Sequence, residues 1–345
     1  MRTRILASMG AAALIAAAGF VVRESPAKEA QSAAKPAAAA DNNWTPPRTP
    51  DGLPDLQGVW DFRTIAPLER PPQLGTKEFF TDAEAAKFES EENTRQNRDL
   101  IDPEVGGLNY PAGGVIPYNE FWYDRGNKLG SRRTSLIVDP PNGRLPPWTS
   151  EGQKLAELRA ASSRDDQLGH PHADSWEDRP LQERCLIGLN AGPPMTPGAY
   201  NNNVQLLQTP GYVVILNEMV HSARIVPMDG RPHGTIRQWK GDSRGHWEGD
   251  TLVVDTINFK RETNVAGSSA NTHLIERFTR TGPNTLAYEF TVDDPTMWTK
   301  PWKALVPMLK SDDPIYEYAC HEGNYAMRSI LAGARAADKT AAAKK

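Results

Sequence analysis

Cysteine is scarce in this chain of 345 residues: Cys185 and Cys320 are the only two. That leaves no paired Cys-x-x-Cys motif for a metal or a redox couple. Clustered Lys and Arg are absent as well. Nucleic-acid binding needs such clusters to neutralise a phosphate backbone, so nucleic acid is a poor partner for this protein. The sequence also lacks a Gly-x-Ser-x-Gly elbow, a P-loop and a Rossmann fingerprint, which removes the serine, nucleoside-triphosphate and dinucleotide chemistries that those motifs carry. Long uninterrupted helices are missing too, because 29 Pro and 27 Gly punctuate the chain too often.

What is present begins at the N-terminus. Arg2 and Arg4 precede an apolar, charge-free run from Ile5 to Val22, the pattern of a secretory signal peptide. The alternative is an uncleaved anchor, since about eighteen apolar residues also suffice for a membrane span. No Cys follows the run, so a lipoprotein anchor is ruled out. The expected organisation is a signal or anchor over 1–22, an Ala/Pro-rich linker over 23–43, one domain over 44–336 and a disordered tail over 337–345. Five basic and two acidic residues fall in 1–40, so the formal charge of −4 becomes −7 beyond it. The expected location is periplasmic or secreted, with membrane contact only through an uncleaved N-terminus. In an oxidising compartment, Cys185 and Cys320 are expected to form a disulfide; two buried thiols are the alternative.

Thr81-Asp82-Ala83-Glu84 is a capping box that opens a charged helix to about Arg98. Ser150 can cap a second helix, and a terminal helix is expected over Asn324–Ala336. Strands are read at Gly58–Arg63, Val204–Gln208, Tyr212–Asn217, Val220–Val226, Thr235–Lys240, Leu252–Thr256, His273–Thr281, Thr285–Val292 and Ile315–Cys320. Thr209-Pro210-Gly211, Glu248-Gly249-Asp250 and Gly282-Pro283-Asn284 mark turns between them. Short strands with frequent turns favour a sandwich or barrel over a βαβ fold. Gly58-Val59-Trp60 resembles the Gly-x-Trp mark of lipocalins. The expected fold is therefore mainly β: an antiparallel calycin-like barrel or closed sheet, with a few short helices and long loops covering one opening.

The pieces Glu183-Arg184-Cys185, Tyr200-Asn201-Asn202, Gly211–Ile215, Glu218-Met219-Val220-His221, Gly241–Thr256, His273–Phe278 and Tyr318–Tyr325 together resemble a large family of uncharacterised exported bacterial proteins. The resemblance implies export and a β-rich fold, and it transfers no activity.

Polar side chains inside apolar strands supply the candidate site. Glu218, His221 and Arg224 interrupt a run read as one central strand, where buried charge must be paired or hydrogen-bonded. One reading pairs Glu218 with Arg224 structurally; the other makes them a pocket acid or base with its charge partner. In the next cluster, alternation puts Glu276 with Leu274 and Phe278 on the core face, and His273, Ile275 and Arg277 on the other. Gly241–Gly245 reads as a loop whose amides could cradle an anion. Asp255 is either a paired core acid or a site acid.

For a metal, His170, His172 and Asp174 have alternate spacing. His221, His246 and His273 have the right ligand type, but neither set is preferred to a metal-free site. The leading function is an exported acid–base hydrolase or lyase for a small polar or carbohydrate-like molecule. Glu218 or Glu276 is its acid or base, His221, His246 or His273 its proton shuttle, and Arg224 or Arg277 its anion clamp. Tyr200, Asn201, Asn202, Asn203, Trp247 and Trp298 orient the substrate. The alternative is a non-catalytic, lipocalin-like carrier of an apolar or amphipathic ligand.

Overall fold

The computed structural model describes residues 44–343 apart from 108–109, 111, 114–117, 163–172, 174, 189 and 264–266. The expected signal (1–22) and linker (23–43), and the His170, His172 and Asp174 set, lie outside the described residues. No helix among the described residues is long and apolar enough to cross a membrane.

Ten antiparallel strands form one sheet: β1 (Gly58–Asp61), β2 (Ile137–Asp139), β3 (Asn203–Thr209), β4 (Tyr212–Asn217), β5 (Ser222–Pro227), β6 (Asp242–Glu248), β7 (Thr251–Ile257), β8 (His273–Gly282), β9 (Thr285–Asp293) and β10 (Trp302–Ser311). Their order is β5-β4-β3-β1-β10-β9-β8-β7-β6, with β2 on the free end of β10. Three α-helices accompany the sheet among the described residues: α1 (Asp82–Gln96), α2 (Ser150–Ser162) and α3 (Tyr325–Ala342). The expected capping box of α1 is present, with Thr81 and Glu84 bonded reciprocally. On α2 it is Thr149, not Ser150, whose hydroxyl accepts from the Gly152 amide at 2.9 Å. Helix α3 runs to Ala342, beyond the expected end at Ala336.

Period-two alternation sorts the two faces. Val204, Leu206, Val213, Ile215, Leu252, Val254, Leu274, Phe278, Tyr288, Phe290, Ala304 and Val306 are buried on the inner face and form one core with Trp60, Phe62 and Trp302. Trp60 is fully buried, and its indole donates to the Leu56 carbonyl at 2.8 Å. The outer face carries Asp255, His273, Arg277 and Glu289, while Glu276 and Thr256 point inward.

Three strand readings and one loop reading need correction. Tyr212–Val226 is a hairpin, β4 and β5, because the chain reverses at Glu218–His221 with Val220 and His221 at positive φ. Thr235–Lys240 and Ile315–Cys320 are not strands. Gly241–Gly245 is not an anion loop, since Asp242–Glu248 pairs along its length with β7. Trp302–Ser311, by contrast, is a strand that Pro301 and Pro307 disguise. Pro307 is tolerated because β1 pairs only with Leu309–Ser311 and β2 only with Lys303 and Ala304, so the missing amide falls in the gap between them.

No hydrogen-bonded ladder joins edge strands β5 and β6 among the described residues, although they approach closely. A Cβ at Gly245 would sit 2.3 Å from Met228 Sδ and 2.9 Å from Val226 Cγ1. Between these edges, Lys240 Nζ donates to the Ala223 carbonyl at 3.1 Å.

Candidate functional site

The residues singled out by sequence divide among three places. The first is the inner face. Arg224 on β5 donates to both oxygens of Glu276 on β8, through Nη1 to Oε2 and through Nη2 to Oε1 at 2.9 Å. Tyr288 OH donates to Glu276 Oε1 at 2.7 Å and accepts from the Met195 amide at 3.0 Å. Glu276, Tyr288 and Met195 are fully buried. Burial opposes the Arg224 cation, yet Glu276 outweighs it and raises the guanidinium above its ordinary value. Burial beside the Glu276 carboxylate also pushes the Tyr288 phenol well above the ordinary tyrosine range. The expected Glu218–Arg224 pair is therefore replaced by Arg224–Glu276. The reversal at Glu218 carries that carboxylate out of the strand, while Arg224 stays on the inner face.

The second place is the outer face of β6 to β8. His273 Nε2 lies 2.6 Å from Asp255 Oδ2, and His233 Nε2 lies 2.9 Å from Asp255 Oδ1. His233 Nδ1 lies 3.3 Å from Asp242 Oδ2, and Arg244 donates to Asp242 Oδ1 at 2.6 Å. The hydrogen bond to Asp255 raises His273. Burial works against the charged form of Asp255, but His273 and His233 hold it below the usual carboxylate range. Further along this face, Glu248 bridges His246 at 3.2 Å and Arg277 at 2.8 Å, all at the surface. Sequence reasoning missed His233, which lies in the loop between β5 and β6 and has no local pattern to mark it.

The third place is one end of the sheet, at the β4–β5 reversal. Glu218 is nearly buried, and its Oε2 accepts from Asn203 Nδ2 at 2.8 Å. His221 is exposed, and its Nε2 accepts from the Tyr318 amide at 3.0 Å, which leaves the ring proton on Nδ1. Burial, with Tyr318 and Tyr118 near, pushes the Tyr200 phenol up to about 12. Among the described residues, four non-glycine residues at this end have positive φ: Cys185 at 55°, Asn201 at 56°, Val220 at 60° and His221 at 46°. For branched Val220 this is a strained conformation. Neighbouring chain holds it in place. A Cβ at Gly188 would lie 2.0 Å from Met219 Cγ and 2.7 Å from Val220 Cγ2. The Cys185–Cys320 disulfide, with Cα atoms 5.7 Å apart, ties that segment to the one bearing Tyr318.

Three more of the expected residues are built into the interior. Asn202 is fully buried; its amide binds the carbonyls of Asp124 and Gly198, and its carbonyl oxygen accepts from the Gly198 amide and Asn190. Trp247 packs against the core and Trp298 lies within it. His221, His246 and His273 each bond to a different partner, and no group of three metal-ligating side chains gathers among the described residues. Compared with known protein families and with curated proteins, the chain matches none.

Proposed function

We propose that the protein is an exported acid–base enzyme, a hydrolase or lyase acting on a small polar or carbohydrate-like molecule at the β4–β5 end of the sheet. The observation that carries this reading is the strained reversal at Val220 and His221, which holds an exposed imidazole three residues from a nearly buried carboxylate. Left-handed backbone at branched residues costs free energy, and such strain gathers at functional sites. Glu218 is the base, and neutral His221 donates a hydrogen bond through Nδ1 to the oxygen on which negative charge develops. Tyr200 and Asn203 are placed to orient hydroxyl groups. His273 and Glu276 leave the catalytic set in this reading, because their partners hold them elsewhere. The test is turnover of a panel of chromogenic glycosides and uronate-containing polysaccharides by the full chain. Changing Glu218→Gln or His221→Gln should lower turnover by about 100-fold or more with the fold retained. Activity that survives both changes, or no turnover across the panel, would overturn the reading.

A second reading is a calycin-like binding protein. What supports it is the bond between β5 and β8 across the inside of the sheet, the close approach at Gly245 and the buried Trp60 of Gly58-Val59-Trp60. On that reading the Arg224–Glu276 pair is structural and the sheet acts only as a scaffold for ligand capture.

A further inference from the structure

Beside the strained reversal, aromatic rings and cations alternate. The Arg184 guanidinium lies 4.6 Å from the Trp176 ring centroid and 5.8 Å from that of Trp239. Lys260 Nζ lies 4.2 Å from the Trp239 centroid on the same ring system. Lys240 follows Trp239 in the chain and reaches the Ala223 carbonyl, two residues from His221. None of Arg184, Lys240 and Lys260 has a carboxylate partner among the described residues, in a chain of net negative charge. Elsewhere on this molecule the arginines near carboxylates are paired, as Arg179 is with Glu183 at 2.9 Å.

Arg184 is the most telling of the three. Two indole rings lie near its guanidinium, and its Nε is buried without a hydrogen-bond partner. A guanidinium held against aromatic rings can still offer its two terminal amino groups, which bind a carboxylate through two parallel bonds. Lys240 contributes a second charge. Burial, with the Arg224 cation close behind, pulls its ammonium down to about 8, so an incoming anion would restore what the protein withholds. Trp176 is half exposed and offers a face for a sugar ring.

We propose that Arg184 and Lys260, gathered around Trp239 and Trp176, bind the carboxylate of a small hydroxyl-rich acid of the uronate type, with Lys240, next to Trp239 in the chain, adding positive charge. The proposal rests on the reading above and names the substrate class of that site. A single anion suits it, because three cations at one corner do not make the long basic track a polyanion needs.

Titration calorimetry on the full, disulfide-bonded chain tests it, with D-glucuronate, D-galacturonate, D-glucose and inorganic phosphate as probes. At least one uronate should bind while glucose does not. Arg184→Gln and Lys260→Gln should each weaken uronate binding at least tenfold. Arg184→Lys, which keeps the charge but loses the fork, should do nearly the same. Lys260→Gln serves as the independent variant if Arg184→Gln fails to fold. No uronate binding, equal binding of glucose, phosphate as tight as uronate, or unchanged affinity in both variants would each overturn the proposal. Uronate binding without turnover of any uronate-containing substrate would leave this site standing and sink the acid–base reading instead.

Discussion

Arg224 and Glu276 meet across the inside of a sheet whose hydrogen-bonded order separates their strands by five others. Such a contact requires the sheet to curl far enough for edge strand β5 to face β8, and right-handed twist accumulating over many strands supplies that curl. The pair is a long-range clamp on that curvature. Tyr288 and the Met195 amide complete its hydrogen bonding.

Removing one partner should therefore unfold rather than merely inactivate. Glu276→Gln or Arg224→Met leaves a buried charge uncompensated and should cost about 3–5 kcal/mol in urea unfolding. Replacing both together by apolar residues should cost much less. Tyr288→Phe should cost about 1–3 kcal/mol, because it strips a donor from Glu276 and an acceptor from the Met195 amide. A Glu276→Gln protein as stable as wild type would show that the clamp is not closed in solution.

The disulfide closes a separation of 135 residues. Thiol labelling of the unfolded, non-reduced protein should find no free cysteine. Changing both residues to Ser should destabilise by about 5 kcal/mol in the chain-entropy view. It should also loosen the contact of Tyr318 with His221, seen as faster hydrogen exchange at the Tyr318 amide. Two labelled thiols would end this account of how the strained corner is held.

Gly188 and Gly333 make a matched pair. At Gly188 a Cβ has nowhere to go, being 2.0 Å from Met219 Cγ, while at Gly333 on α3 nothing lies within 4 Å. Gly188→Ala should cost about 1–3 kcal/mol through overpacking and disturb the Val220–His221 reversal. Gly333→Ala should instead gain roughly 0.5–1 kcal/mol from helix propensity. Thermal melts of the two variants separate these outcomes, and equal effects would contradict the packing described at the corner.

Much of this architecture was legible in the sequence, and the failures have physical causes. Alternation correctly sent Glu276 inward and His273 and Arg277 outward, because side-chain parity is a local property of a strand. The hairpins at Gly211, Gly249 and Gly282 followed from turn chemistry. Parity could not name the partner of Glu276. Nothing local to Arg224 says that the sheet will bring β5 opposite β8. Apolar Val220 hid the reversal at Glu218, since a branched residue is the last one expected at positive φ. Pro307 hid β10, because its tolerance depends on where β1 and β2 stop. His233 and the stack of Trp176, Arg184, Trp239 and Lys260 join segments far apart in the chain, and no spacing rule reports such an encounter.

The outer-face contact of His273 with Asp255 makes a pH prediction whose sign follows from the two shifts. Asp255 holds His273 above its ordinary 6.5, with Asp293 adding to the effect. The folded protein thus keeps that proton at pH values where the unfolded chain releases it. The stabilisation is complete below the unfolded histidine value and fades as pH rises through the folded one. Asp255 moves the other way. His273 and His233 hold it below its ordinary 3.8 against the opposing effect of burial. Its stabilisation is present above the unfolded value and is lost as pH falls through the folded one. The pair should therefore contribute most from about pH 4 to about pH 6.5. His273 and Asp255 are both partly open to solvent, so the contribution should be only about 0.5 kcal/mol. The measurement is the unfolding free energy of wild type minus that of His273→Gln, followed from pH 3 to pH 9 at low salt. The difference should be greatest in the window and shrink on both sides of it, with added salt reducing it further. A difference that grows above pH 7.5 would mean that His273 is held neutral in the folded protein and that the carboxylate beside it does not govern its charge.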